Sequence, residues 1–319
     1  MTNDLDFTGS EFDPNLVQGI NQDDVEGGGP TYPTLQWHYG SNSALAKKAG
    51  GMDYQGGFFI NADQVDEETM TGAGWAKVEW QHDNNSITEG WYKREAAIAI
   101  IHQRKSWESP QANGQSKRFA WNKFDAAKAA SSTGKASGRL HVLCMVKGLE
   151  SIGPMVLTLK GSASMAFEGK SGKGGVIPTF ADIVIRAANN ASDAAAKKAG
   201  QRAGKRWPYR AFWCPVGADR LANGTPNFVE VGQKDKKWVA LPITLGLPAK
   251  ADQCDPRKYF VGAELLAQVN DLFDANRDWA SAWDTLEGKA EGNGSSVEAE
   301  PEAEVEEPIG ASAAASMGL

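Results

Sequence analysis

Histidine and cysteine are scarce in this 319-residue chain, with four of the first and three of the second. The histidines (His38, His82, His102, His141) show neither HExxH nor HxH spacing, and the cysteines (Cys144, Cys214, Cys254) form no CxxC pair. A zinc site built from sequence-local ligands is therefore excluded, as is a local Cys–His nucleophile signature. There is no GxSxG elbow and no paired-carboxylate nuclease motif. The glycine-rich Gly169-Lys170-Ser171 has Ser164 where a phosphate-binding P-loop needs its first glycine. No metal, no cofactor and no catalytic residue is expected. An apolar run approaching the ~20 residues of a membrane span is also lacking. Met1–Asp6 has neither a basic region nor an apolar core of a secretion signal, so the three thiols are expected to be free in a reducing cytoplasm.

Charge is present, but unevenly. The formal net charge is −7. Residues 1–30 hold seven acids and no Lys or Arg, and residues 289–319 hold seven acids and one Lys. Residues 31–288 are left at net +6. A basic body between acidic ends points to an anionic partner of the body.

The positive charge lies in two stretches. From Lys93 to Lys147 eleven bases face three acids, with Trp91, Tyr92, Trp107, Phe119, Trp121 and Phe124 interleaved. From Lys197 to Cys214 there are six cations and no acid, leading into Trp207, Tyr209, Phe212 and Trp213. Cations that hold phosphates beside rings that stack on unpaired bases suit single-stranded nucleic acid. The candidate contacts are Lys93, Arg94, Arg104, Lys105, Trp107, Lys117, Arg118, Lys135, Arg139, Lys170, Lys173, Arg202, Lys205, Arg206, Arg210 and Phe212. The last two follow from reading 206–213 as a strand. Period 2 then puts Trp207, Tyr209 and Trp213 on a core face, with Arg206, Arg210 and Phe212 toward the ligand.

The elements read as α+β. Alternation predicts a hairpin of Trp75–Gln81 and Ile87–Lys93 across turn residues 82–86. It also predicts strands over Gly57–Ile60, Ala96–Arg104 (Ile98, Ile100 and His102 facing one way), Arg139–Lys147, Met155–Lys160, Asn227–Val231 and Lys237–Leu245. Small polar and basic residues at 126–137 predict a loop. Apolar spacing predicts a helix over Thr179–Ala199 and a last helix opened by Asp255-Pro256. The expected layout is an acidic disordered arm (1–30), a β-rich core (31–250), a helical segment (251–288) and an acidic disordered tail (289–319).

The core's strand–strand–strand–helix–strand–strand order resembles the OB fold, a five-stranded barrel whose face and loops bind oligonucleotides. With the acidic run Glu298–Glu307 it is similar to the single-stranded-DNA-binding proteins of bacteria and their phages or plasmids. That resemblance implies an OB-like barrel and a non-catalytic, cytoplasmic role in DNA replication or recombination. It also implies a tail that regulates binding or docks replication or recombination proteins. A homo-oligomer is compatible with it, and a membrane partner is not. The alternatives are a structural or assembly protein whose basic face meets another protein, and an enzyme whose site is gathered from scattered residues.

Overall fold

A computed structural model describes residues 32–38, 56–81, 87–112, 115–170, 174–224, 226–231, 237–281 and 287–290. The expected acidic arm falls outside them, as does the tail beyond residue 290. The fold is mixed α+β, built on one eleven-stranded sheet. Its backbone is a meander of β5 (Glu95–Pro110), β7 (Ser137–Val146) and β8 (Met155–Lys160), paired antiparallel. Strand β9 (Cys214–Ala218) joins the start of β5, and β12 (Pro242–Thr244) joins β9. Strand β6 (Ser116–Ala120) hairpins onto the end of β5, and β13 (Glu287–Ala290) pairs with β6. On the other side β1 (Thr34–His38) lies parallel to β8, followed by β2 (Gly57–Asn61), β4 (Ile87–Lys93) and β3 (Ala76–Gln81).

The expected barrel does not form. Closing the order β12–β9–β5–β7–β8 would require β12 to pair with β8, and β1 holds that edge of β8. The sheet curls instead, so that Trp37 Nε1 donates to the Ala240 carbonyl at 3.0 Å and Arg220 Nη2 to the Gly56 carbonyl at 3.2 Å.

Inside the curl sits the main core. Ile98, Ile100, Leu140, Val142, Cys144, Leu157 and Leu159 project into it from β5, β7 and β8. Helices close it: α1 (Glu67–Gly72) through Met70, α3 (Gly161–Glu168) through Phe167, and α4 (Val176–Phe180) through Phe180. A π-helical segment, Ala181–Ile185, continues α4 into α5 (Arg186–Lys198), so the expected helix starts three residues early. Burial in this core pushes the Cys144 thiol up to about 12 and raises Cys214 further, so neither is an accessible thiolate. Among the described residues no helix is long and apolar enough to cross a membrane.

The outer face of the meander is divided. Ala99, Ile101, Leu143, Met145 and Trp213 form a second apolar cluster beneath α6 (Ala263–Ala275), which contributes Val269 and Leu272. The helix begins later than Asp255-Pro256 predicts. Asp255 caps a short 3₁₀ turn, Pro256–Tyr259, and Gly262 precedes α6. Two further expectations change. Residues 126–137 are not all loop, because Phe124–Ala130 forms helix α2, whose Ala127 packs on Trp107 and Phe119. The strand expected over Lys237–Leu245 breaks in two: β11 (Lys237–Val239) pairs only with β10 (Val229–Val231), and β12 joins the main sheet.

Candidate nucleic-acid interface

A single extra residue in β5 sets the site's geometry. Ile100 lies opposite Cys144 of β7 and His102 opposite Leu143, so Ile101 is a bulge. A bulge reverses which face the following residues use. His102 therefore faces away from Ile98 and Ile100, contrary to the expectation from plain alternation. Its ring stacks on Phe273 of α6 at 4.4 Å, and Nε2 lies 2.7 Å from the Phe273 carbonyl. The bulge likewise turns Arg104 outward and Lys105 inward.

Directly opposed residues of paired strands share a face. One row across the outer face is therefore Arg104, His141 and Thr158, and the next is Ser106, Arg139 and Lys160. A third brings Arg118 of β6 opposite Glu108. Four cations from four neighbouring strands thus converge where the apolar half of the face ends. All four are partly exposed. The described carboxylate among them is Glu108, which pairs with Arg139. At the seam, the Arg104 guanidinium lies 3.9 Å over the Trp279 ring, next to α6.

His141 registers the resulting field. It is 7% exposed, with Nδ1 lying 3.2 Å from Thr158 Oγ1. Burial holds its pKa well below the usual histidine range, and Arg118, Arg104, Arg139 and Lys160 depress it further. Four partly desolvated cations around one described carboxylate, held by rigid strands, leave a net positive local potential for an anion. Sequence reasoning named Arg104, Arg118 and Arg139 but missed Lys160 and His141. The signal for Lys160 was available, since Met155, Leu157 and Leu159 point inward and leave Val156, Thr158 and Lys160 outside.

The other sequence candidates lie elsewhere. Lys93 Nζ donates to the Ala73 carbonyl at 2.7 Å, and Arg94 is exposed at the corner between β4 and β5. Lys117 lies opposite Ser109 on the inner face, and Lys135 is exposed in the loop after α2. Lys105 pairs with Glu168 of α3, which also holds Lys170 at 3.5 Å. Trp107 is buried rather than available to a ligand. Lys173 lies outside the described residues.

The stretch from Arg202 to Arg206 runs back along α5. The Gly204 amide donates to Asp193 Oδ1 at 2.9 Å, Ser192 Oγ to the Lys205 carbonyl at 2.9 Å, and the Trp207 amide to Asn189 Oδ1 at 3.0 Å. Arg206 pairs with Asp193 at 3.0 Å. The Gly204 amide first, and then Arg206, lower the Asp193 pKa. Helix α5 contributes Ala188 to the main core inside the curl, and the bonds above tie the strap of Arg202, Lys205 and Arg206 to that helix and not to the rows on the outer face. The period-2 assignment of 206–213 fails, because Pro208 leads into a 3₁₀ turn at Tyr209–Ala211. Phe212 is 3% exposed and bridges to Phe260, whereas Trp207 is 36% exposed. Arg210 is committed to the fold. Its guanidinium lies 3.9 Å over the Phe273 ring, and Nε donates to Asn270 Oδ1 at 2.7 Å. It also lines a cavity of about 240 Å³ with Ile100, His102 and Tyr209.

Among the described residues, no group of three or more His, Cys, Asp or Glu converges as metal ligands would. No family model, curated protein or solved structure matches the chain.

Proposed function

We propose that the chain is a non-catalytic protein that binds single-stranded DNA, acting in replication or recombination. The observation that carries this reading is the convergence of Arg104, Arg118, Arg139 and Lys160 around His141, with Glu108 as the described carboxylate among them. Such a patch suits a polyanion, and phosphate neutralisation supplies affinity without sequence preference.

The strand order supports an OB-like reading of the meander even though the sheet stays open. An OB fold binds oligonucleotides on the face of its second and third strands and on the loop between its first and second. Counting β5 as first, those strands are β7 and β8, which carry Arg139, His141, Thr158 and Lys160. The connection from β5 to β7 carries Lys117, Arg118 and Lys135.

Binding of labelled oligo-dT, measured at two salt concentrations and against a duplex of equal length, tests the reading. Affinity should fall with salt and favour the single strand. An absence of binding at low salt, or binding indifferent to salt, would sink it and leave the basic face to a protein partner.

A further inference from the structure

We propose that Trp121 is a stacking platform for one unpaired base, with Lys105 and Lys170 taking the adjoining phosphates. This rests on the nucleic-acid reading and adds to it a site on the other side of the β5–β6 hairpin.

Trp121 follows β6 and is 39% exposed, one of two exposed tryptophans among the described residues. One face of its indole is fixed. The ring lies parallel to that of Trp107, with centroids 4.3 Å apart and planes 6° apart. Trp107 is buried, backed by Phe124 at 4.6 Å, and its Nε1 donates to the Trp121 carbonyl at 2.7 Å. The exposed ring is thus anchored from below, so a base can stack on it with little further loss of side-chain freedom.

Two cations lie over the same ring. Lys105 Nζ is 5.4 Å from its centroid and Lys170 Nζ 5.3 Å. Glu168 tethers both. Lys170 belongs to the basic glycine-rich stretch 169–175, a sequence feature that the outer cationic face does not use. An arriving base displaces the two ammonium groups from the ring, and their long stems allow them to move to the phosphates on either side. The other exposed ring, Trp207, is set differently: Phe212 and Phe260 meet it edge-on at 5.6 and 5.8 Å.

The platform gives the protein something its cationic face cannot. Phosphates are common to single strands and duplexes, but only an unpaired base presents a free face for stacking. Arg104 and Lys105 are consecutive residues pointing to opposite sides of β5, so the ring and the cationic cluster are presented on opposite faces of the same strand.

The test uses the full chain with oligo-dT and a sugar-phosphate strand of equal length that lacks bases. Wild type should prefer oligo-dT. Trp121→Ala should bind oligo-dT about 5- to 150-fold more weakly and the abasic strand as before, which also checks that it is folded. Trp121→Phe, which keeps a ring, should retain most of the preference. Unchanged oligo-dT affinity in Trp121→Ala, or a wild type that binds both strands equally, overturns the platform and leaves the cationic face standing. A wild type that binds neither strand overturns the nucleic-acid reading itself.

Discussion

The cluster on the outer sheet face and the strap from Lys197 to Arg206 are the chain's two kinds of basic surface. The strap is the denser in sequence, yet its described polar contacts, the Arg206–Asp193 ion pair among them, are directed to α5. The cluster is sparse in sequence, spread over 104–160, but strand pairing gathers it into adjacent rows. The difference teaches that a binding potential depends on where backbone register sends the charges, and only weakly on their spacing along the chain.

The largest expected effect comes from reversing charge within the cluster. Arg118→Glu with Lys160→Glu should weaken oligo-dT binding on the order of 100-fold at low salt. Lys197→Glu with Lys198→Glu on the strap should leave it within a few-fold. Equal losses from the two pairs, read by fluorescence anisotropy, would erase the distinction between the regions.

A smaller effect separates the two arginines that sequence alternation placed together. Arg210→Ala removes the stack on Phe273 and the bond to Asn270, and should cost about 1–3 kcal/mol in urea unfolding. Arg206→Ala loses an exposed ion pair and should cost no more than about 1 kcal/mol. If Arg210→Ala unfolds like wild type, the docking role assigned to Arg210 is wrong.

The mildest effect is a pH dependence around pH 6.5, which the cluster should produce through His141 and the strap, with no histidine, should not. His141 is held neutral in the fold, below its ordinary value, while in the unfolded chain it takes a proton near pH 6.5. The unfolded state therefore binds more protons below that pH, so stability falls as pH drops through about 6.5. The loss between pH 6.5 and 5.5 should be at most about 1 kcal/mol from this residue, and His141→Gln should flatten that part of the curve. An unaltered curve in the variant would show that the field around His141 is weaker than the register implies.

Much of the sheet was legible in the sequence. The hairpin around 82–86 and the strands at 139–147 and 155–160 follow from alternation, because one side of each faces the core. The site was less legible. A bulge at Ile101 leaves no mark in a run such as Ala-Ile-Ala-Ile-Ile-His, yet it decides that Arg104 faces out and Lys105 in. Phe212 was assigned to the ligand by a period that the 3₁₀ turn at Tyr209–Ala211 interrupts. Trp107 is buried and Trp121 exposed, because which of two stacked rings lies on top is settled by the packing of α2 and Phe124, which composition does not encode. The open sheet depends on β1 reaching β8, a pairing over 120 residues apart in sequence that no local pattern encodes.

The most direct test of the central claim is the salt dependence of oligo-dT affinity, compared between wild type and Arg118→Ala/Lys160→Ala. If the cluster holds the phosphates, the slope of log affinity against log salt should become shallower by about 1.4, or roughly 0.7 for each single-strand phosphate contact removed. A double variant with the wild-type slope would contradict the account and move the binding surface elsewhere on the molecule.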